Sequence, residues 1–283
     1  MFYSPLRYPG GKNRLAKFIA KICVENNIDG HYIEPYAGGA SIALNLLIEE
    51  KVKRVTINDY DRSVYAFWHC VLKETNKLCN LIKNTEINVK NWKEQKNIQK
   101  QKNEIDLLKL GFSTFFLNRT NYSGIINASV IGGLEQKGIY KIDCRFNKIE
   151  LIKKIKLIAK YKKQIKLYNL DAVKLIKNQR RNPNKEKAIF YFDPPYYLKG
   201  SSLYMNYYKK NEHKKVSEEI RKIKNAHWII TYDDNEEIRK IYQWVNKNIE
   251  YQLKHFAYKA KLGKELMFFS DSLDLPNNLN LTF

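Results

Sequence analysis

The sequence predicts an α/β fold in which a mostly parallel β-sheet with an antiparallel edge carries helices. Short apolar runs with β character alternate with helix-like stretches along most of the chain. A glycine turn follows the first of these runs, as in nucleotide-binding α/β folds. The last two apolar runs have no helix between them, which predicts a closing hairpin at the edge of the sheet.

The predicted elements follow one another in a regular order. In the amino-terminal part, strands at 31–34 and 54–58 are each followed by a helix, at 42–48 and 64–72. Later strand and helix pairs are 165–168 with a helix from 172, 188–192 with a helix at 216–223, and 228–231 with a helix from 236. Runs at 251–256 and 266–269 form the predicted hairpin.

The alternation breaks between residues 76 and 160. Helical stretches rich in Lys and Asn at 92–110 lead into a loop-like segment at 116–124. We therefore expect an inserted, mainly helical subdomain at 76–160, and a sheet domain built from 1–75 and 161–283.

Composition narrows the class of protein. With 283 residues, 44% hydrophobic and 28% charged, the chain can build a core and is not globally disordered. It has no apolar run of membrane-spanning length and does not begin like a secretion signal, so we expect a cytoplasmic protein with no membrane partner. The four cysteines form no Cys-x-x-Cys pair and the histidines show no ligand spacing, so no metal site is predicted. A net charge of +22 favours nucleic acid as a partner, although a bias toward A/T-rich codons would also raise the Lys content.

The strongest chemical signal is Asp193-Pro194-Pro195-Tyr196, directly after the apolar run 188–192. In an open α/β sheet, ligands bind at the carboxyl ends of the strands, where this tetrapeptide would lie. Two prolines stiffen the loop and leave carbonyl groups free to accept hydrogen bonds. Taken alone, the tetrapeptide could equally be a proline turn that ends a strand.

Further motifs precede it. Residues 7–12 read Arg-Tyr-Pro-Gly-Gly-Lys, and residues 33–41 run from a strand through a glycine turn into a helix. Asp59 ends the next strand, about twenty positions after Gly38, the spacing at which an acid binds a ribose hydroxyl. The segment 6–13 lacks the first glycine and the Ser or Thr of a P-loop, and 36–41 lacks the dinucleotide fingerprint. These patterns predict an adenosine-bearing ligand without a pyrophosphate.

In chain order, these motifs resemble the Dam-type (D12 class) DNA adenine N6-methyltransferases, over nearly the whole chain. The stretch 118–124 is similar to the Asn-Arg-rich loop of the family's target-recognition region. The resemblance implies a Rossmann-like methyltransferase domain with an inserted DNA-recognition subdomain. It implies S-adenosylmethionine as the methyl donor and adenine in a short sequence of double-stranded DNA as the acceptor.

The resemblance also implies roles for individual residues. Cofactor-binding positions are Tyr8, Gly10, Gly11, Lys12, Glu34, Tyr36, Gly38, Asp59, Asp171 and Asp193. Of these, Asp59 would bind the ribose and Asp171 would lie near the adenine of the cofactor. Catalytic positions are Asp193, Pro194, Pro195 and Tyr196, and DNA-binding positions are Asn118, Arg119, Asn121 and Tyr122. The chain departs from the family's aromatic-x-Gly-x-Gly turn, because Ala40 stands where the second glycine is usual.

The expected chemistry follows from the poor nucleophilicity of the adenine amine, whose lone pair is delocalised into the ring. Asp193 and the carbonyl of Pro194 would accept its two hydrogens and free the lone pair for attack. Tyr196 would stack on the base after it is flipped from the duplex. Arg119 would read a guanine edge or a phosphate, and Asn118 and Asn121 would face an adenine. The alternative for these loop residues is a polar segment that only stabilises itself.

Other functions stay open or are excluded by the residues. A cytosine C5-methyltransferase needs a nucleophilic cysteine, commonly after a proline, and no cysteine here follows one. Transfer to cytosine N4 more often uses Ser in place of Asp193. An RNA adenine methyltransferase and a catalytically idle DNA-binding module remain as alternatives. A monomer that acts separately from a cognate restriction endonuclease is the expected assembly.

Overall fold

The computed structural model describes residues 2–7, 12–181, 187–197, 208–255 and 261–276. The strands are β1 (His31–Glu34), β2 (Arg54–Asn58), β3 (Ile165–Tyr168), β4 (Ala188–Phe192), β5 (His227–Asp233), β6 (Lys247–His255) and β7 (Lys261–Phe269). The helices are α1 (Ala16–Glu25), α2 (Ser41–Ile48), α3 (Arg62–Lys73), α4 (Thr75–Asn84), α5 (Val89–Lys100), α6 (Leu107–Thr120), α7 (Lys148–Lys160), α8 (Ala172–Arg180), α9 (Lys210–Arg221) and α10 (Glu236–Ile241). Short 3-10 turns occupy Lys12–Leu15 and Tyr122–Gly124.

The strands form one sheet in the order β3-β2-β1-β4-β5-β7-β6. The pairs among β1 to β5 are parallel, whereas β7 pairs antiparallel with both β5 and β6. The predicted α/β fold with an antiparallel edge is therefore confirmed. Both β1 and β4 are buried along their whole length, and β4 accordingly appears in the sequence as an unbroken apolar run.

The described residues divide into two compact units. One unit, which we call the sheet unit, is built from 12–60 and the described part of 164–283 and contains the seven strands. The other, the helical unit, is built from 3–7 and 61–163 and contains α3 to α7. The domain boundaries at 76 and 160 stay a prediction about independent folding, which compactness alone does not test.

The helical unit is held by aromatic packing between α3 and α6. The rings of Phe67 and Phe115 stack at 5.8 Å, and Phe146 meets Phe115 edge-on at 5.3 Å. The expectation that 116–124 is a loop is wrong for its first part, because α6 continues to Thr120. The Thr120 hydroxyl donates to the carbonyl of Phe116 one turn earlier, at 2.8 Å, and the Asn118 amide bonds the carbonyls of Arg7 and Gly124, so the Asn118 side chain does not compete for the hydrogen bonds of the helix backbone.

Gly111 marks the closest approach of these two helices. A Cβ atom at this position would lie 2.6 Å from the carbonyl oxygen of Ala66 and 2.6 Å from the Sγ of Cys70. We expect Gly111→Ala to lower the free energy of unfolding by about 1–3 kcal/mol, because α3 and α6 must separate. Denaturant unfolding would measure this loss, with Lys109→Ala on the exposed side of α6 as the control. An unchanged midpoint would contradict this account of the helix contact.

Within the described part of the chain, no helix is both long and apolar enough to cross a membrane.

Candidate active site

The candidate site lies in the sheet unit, at the carboxyl ends of the central parallel strands. Between β1 and β4 the strand order reverses direction, which is where open α/β sheets bind their ligands. Glu34 ends β1, Asp59 follows β2, and Asp193 follows β4. The fold therefore brings three carboxyl groups from separate motifs to one edge of the sheet.

One of the two carboxylate oxygens of Asp193 is held by a hydrogen bond and an ion pair. Its Oδ1 accepts a hydrogen bond of 2.9 Å from the hydroxyl of Thr231 on β5 and lies 3.3 Å from the Nζ of Lys12. The hydroxyls of Thr231 and Tyr191 also lie 3.0 Å apart, which adds a second contact to the Thr231 hydroxyl. Among the described residues, the second oxygen of Asp193 has no hydrogen-bond partner and is not fully buried. Asp193 thus keeps one oxygen for a ligand.

Lys12 provides the cation for this carboxylate. Its ammonium pairs with Asp193 and Glu265, donates to the hydroxyl of Tyr251 at 3.2 Å, and lies 5.5 Å from the ring centre of Tyr196. Burial by itself lowers the pKa of Lys12, but the two carboxylates outweigh it and raise that pKa well above its ordinary value. Lys12 therefore stays charged inside the site.

The glycine turn after β1 is fixed by the acid that follows β2. Asp59 accepts a hydrogen bond of 2.9 Å from the backbone N–H of Gly38, and Ala37 N–H donates to the carbonyl of Asn58 at 2.9 Å. Gly38 has φ 45° and Ala40 has φ 47°, so both occupy the left-handed region. Ala40 adopts the backbone that the resembled pattern gives to glycine, and the turn survives the substitution.

Glu34 is a buried carboxyl with an unmet hydrogen-bonding need. The backbone N–H of Ala43 donates to it, while its Oε2 has no partner among the described residues. Burial, and then the charges of Asp193 and Asp59, raise its pKa well above the ordinary value. A positive charge bound at this edge of the sheet would favour the ionised form of Glu34 and lower that pKa.

Asn58 joins the turns around this edge. Its amide donates to the carbonyls of Pro35 at 2.9 Å and Leu170 at 3.0 Å, and its side-chain oxygen accepts from Leu170 N–H. Asp171, which follows Leu170, caps α8 by accepting hydrogen bonds from the backbone N–H groups of Val173 and Lys174.

A cavity of about 420 Å3 lies beside Asp171. The residues that line it include Asp171, Val173, Lys177, Tyr208, Glu212 and Val216. Tyr36 reaches this region too, because its hydroxyl lies 2.9 Å from that of Tyr208.

The other residues of the Asp-Pro-Pro-Tyr tetrapeptide are placed as follows. Pro194 is buried and Pro195 is half-buried. Tyr196 is only 5% exposed, and its hydroxyl donates to Glu265 at 2.5 Å. The Tyr196 hydroxyl therefore has a partner within the fold, Glu265. Stacking of the Tyr196 ring on a flipped base stays a prediction. Three predicted cofactor-binding residues, Tyr8, Gly10 and Gly11, lie outside the described residues.

Two of the predicted DNA-binding residues serve the helical unit itself. Asn118 is 3% exposed, and its amide bonds the backbone N–H and carbonyl of Arg7 and the carbonyl of Gly124. Asn121 is fully buried and bonds the indole N–H of Trp92 and two backbone carbonyls. These contacts favour the alternative of a polar segment that stabilises itself for both asparagines.

Arg119 is half-buried, and Tyr122 is exposed. Arg119 donates to the carbonyl of Arg145, and Arg7 donates to the carbonyl of Asn121 at 3.1 Å. Burial, with the nearby charges of Arg7 and Arg145, lowers the pKa of Arg119 to about 10. No described carboxylate lies within ion-pair distance of these three arginines. The three arginines therefore form an uncompensated positive cluster. The ring of Tyr122, which is 44% exposed, belongs to the same segment as Arg119.

Sequence reasoning missed Glu265, Thr231 and Tyr251. Glu265 is a lone acid in the apolar stretch 262–269, and that isolation was the available signal. Thr231 and Tyr251 look like ordinary strand residues. Among the described residues, no group of three or more His, Cys, Asp or Glu side chains is placed to hold a metal ion.

The chain is similar to known methyltransferases. The sequence profile of the D12 class N6 adenine-specific DNA methyltransferases matches residues 8–255. The Type II methyltransferase M.MjaIII of Methanocaldococcus jannaschii is 25% identical over 219 residues, which span 72% of this chain and 73% of that protein. Glu265 lies beyond the matched segment.

Two solved structures are more distant. A putative RNA methyltransferase from Pyrococcus horikoshii aligns with a TM-score of 0.41 and 10% identity, over 97% of this chain and 87% of that chain. The rRNA methyltransferase AviRa from Streptomyces viridochromogenes aligns with a TM-score of 0.38 and 9% identity, over 94% of this chain and 86% of that chain.

Proposed function

Because this chain belongs to the D12 class of N6 adenine-specific DNA methyltransferases, we propose that it transfers a methyl group from S-adenosylmethionine to adenine N6 within a short sequence of duplex DNA. The observation that carries the proposal is the state of Asp193. One of its oxygens is held by Thr231 and Lys12, and the other has no partner among the described residues. A fixed, half-engaged carboxylate at the end of β4 is what an acceptor for the adenine amine requires.

The chain's own residues would activate the amine. Asp193 accepts one N–H of the target adenine, and the carbonyl of Pro194 accepts the other, so that the nitrogen lone pair leaves the ring system. S-adenosylmethionine, when bound, would supply the methyl group that this nitrogen takes and would keep the electron pair of the C–S bond on its sulfur. The amine then releases one proton to Asp193 or to water. Because no covalent enzyme intermediate is needed, positioning and electrostatics supply the acceleration.

The residues present fit a cationic cofactor. Burial and the charges of Asp193 and Asp59 raise the pKa of Glu34, so a positive charge bound at this edge would favour its ionised form, and the Oε2 of Glu34 is buried without a partner among the described residues. S-adenosylmethionine would supply a positively charged sulfonium carrying the reactive methyl group. Residues that would hold it are Lys12, Glu34, Tyr36, Gly38, Asp59, Asp171 and Asp193, with Tyr8, Gly10 and Gly11 as further candidates. Asp59 would bind the ribose, with Asp171 near the adenine.

DNA contact is proposed for the helical unit. The uncompensated cluster of Arg7, Arg119 and Arg145 matches a phosphate or a guanine edge, and the exposed ring of Tyr122 matches a base. The net charge of +22 supports a polyanionic substrate for the whole protein. We further propose a cytoplasmic monomer that acts separately from a restriction endonuclease.

The direct test is transfer of radiolabelled methyl from S-adenosylmethionine to DNA taken from an unmethylated host, followed by single-molecule sequencing of the product. N6-methyladenine confined to one short sequence is the expected result. Label on RNA but not on DNA would replace the proposal with an RNA adenine methyltransferase. Label on neither polymer, with DNA binding retained, would leave an idle DNA-binding module.

Arg119→Ala should separate the two roles of this arginine. If Arg119 neutralises a phosphate, affinity falls equally for all sequences and the slope of log K against log salt decreases by about 1. If Arg119 reads a guanine, the binding free energy falls by about 1–3 kcal/mol for DNA that contains the target sequence of the enzyme, and affinity for other DNA is unchanged. Fluorescence anisotropy over a salt series would measure both. Arg54→Ala, an exposed arginine at the start of β2, is the matched control, and equal behaviour of the two variants would remove Arg119 from the DNA contacts.

A further inference from the structure

Glu265 is a buried carboxylate on β7 that no sequence motif accounts for. It is 1% exposed, and its oxygens accept from the hydroxyl of Tyr196 at 2.5 Å, the hydroxyl of Tyr251 at 2.5 Å and the ammonium of Lys12. A carboxylate at this depth is costly unless charged and polar partners surround it. Two of its three partners belong to the motifs of the candidate site.

Glu265 completes the coordination of Lys12. The ammonium of Lys12 carries three hydrogens and has three acceptors nearby. These are a carboxylate oxygen of Glu265, the hydroxyl of Tyr251 at 3.2 Å from Nζ, and a carboxylate oxygen of Asp193 at 3.3 Å from Nζ. The same nitrogen lies 5.5 Å and 5.9 Å from the ring centres of Tyr196 and Tyr251. Lys12 is therefore held from the side of β7 and β6 in the position from which it pairs with Asp193.

Strands β5 and β7 hold the loop that carries the tetrapeptide. In the register of β5 and β7, Asp233 lies opposite Glu265. Asp233 accepts from the backbone N–H of Tyr197 at 3.1 Å, and Glu265 accepts from the hydroxyl of Tyr196. Acids on neighbouring strands thus anchor two consecutive residues just after Asp193 and its prolines.

We propose that Glu265 is a positioning residue for methyl transfer, which holds Lys12 and Tyr196 so that Asp193 keeps one oxygen engaged and one available for the adenine amine. The role rests on the proposed function, since it acts through Asp193. Glu265 does not need to touch the base or the cofactor.

The charge of Glu265 also reaches Asp193. Groups that face Asp193 are Lys12 from the 3-10 turn, Thr231 from β5, Tyr191 from β4, Tyr32 and Glu34 from β1, and Glu265 from β7. Burial and Glu265 raise the pKa of Asp193, while Lys12 and Thr231 lower it, and the net direction is upward. Transfer needs the ionised carboxylate, so the rate should fall as the pH drops through this pKa. Removal of the charge on Glu265 lowers the pKa and moves this acid limb to lower pH.

The test is Glu265→Gln, which keeps the shape of the side chain and removes the charge. We expect kcat to fall about a hundredfold, as for a small displacement of a catalytic group, with little change in KM for DNA. The acid limb of the kcat profile should move to lower pH, which loss of packing alone would not produce. Glu250→Gln on β6, an exposed glutamate paired with Arg239, is the matched control and should behave as the wild type.

Tyr196→Phe decides the question if Glu265→Gln does not fold. This variant keeps the aromatic ring and loses only the hydroxyl that bonds Glu265. A severalfold fall in kcat supports positioning through Glu265, whereas wild-type kcat overturns it because a ring alone then suffices. Full kcat and an unmoved acid limb in a folded Glu265→Gln would also overturn the proposal while leaving the proposed function intact. A wild-type enzyme that methylates no adenine would instead overturn the proposed function, and the role of Glu265 with it.

Discussion

Asp193→Ala is expected to lose methyl transfer by a factor of about a thousand while the protein remains folded. In the proposed mechanism this carboxylate is the acceptor that prepares the adenine amine, and loss of one preorganised group of this kind costs about 10²–10³ in rate. Folding should survive because Lys12 keeps its pairing with Glu265, and because Glu34 loses a like charge nearby. Single-turnover transfer to DNA measures the rate, and thermal unfolding checks the fold.

The control for this variant is Asp29→Ala. Asp29 precedes β1 at the opposite edge of the sheet, where it pairs with Lys53 and Lys187 on the surface. Its loss should leave the transfer rate unchanged. DNA affinity should be the same in both variants, because Asp193 acts on the amine rather than on the duplex. A folded Asp193→Ala enzyme with the wild-type rate would refute the mechanism.

Lys12→Met is expected to cost both stability and activity. The methionine fills a similar volume but leaves Asp193 and Glu265 as buried carboxylates without their cation. Breaking a buried ion pair from one side typically lowers the free energy of unfolding by about 3–5 kcal/mol. Methyl transfer should also fall, because Asp193 loses a partner that orients it.

The loss of stability in Lys12→Met should depend on pH. In the wild type the pKa of Lys12 is raised, so its stabilisation is complete below the unfolded value of about 10.4 and is lost only as pH rises through the higher folded value. In the variant, the unpaired carboxyls take up protons in the folded state, so its stability recovers as pH falls. The difference between the two proteins should therefore narrow between neutral and acid pH in urea unfolding.

Lys21→Met is the control for that experiment. Lys21 is half-exposed on α1 and pairs with Glu25, and exposed pairs of this kind contribute less than about 1 kcal/mol. A Lys12→Met protein as stable as this control at every pH would show that Lys12 is not the cation of the buried network.

The strands could be predicted from the sequence because burial makes them visible there. For β1, β2, β3 and β4 the predicted and observed bounds agree. The clearest case is β4, whose continuous apolar run marks a strand covered on both faces. The hairpin β6–β7 is longer than predicted, because its outer parts mix polar and apolar residues and only pairing with a neighbour makes them strands. The last turn of α6 was missed for a related reason. Asn118 favours a loop locally, and contacts with Arg7 and Gly124 override that preference.

The sequence by itself determined the family and the order of the motifs, and it predicted Lys12, Glu34, Asp59 and Asp193 as site residues, because these residue types stand close to strand ends and glycine turns. Only the tertiary structure decided which groups pair. Lys12 and Glu265 lie 253 positions apart, and Tyr196 and Glu265 lie 69 apart. No local pattern links such residues, since their contact and their burial exist only once β7 lies against β5. The structure likewise separated the half-buried Arg119 from the buried Asn118 and Asn121, which the sequence presents as equal candidates.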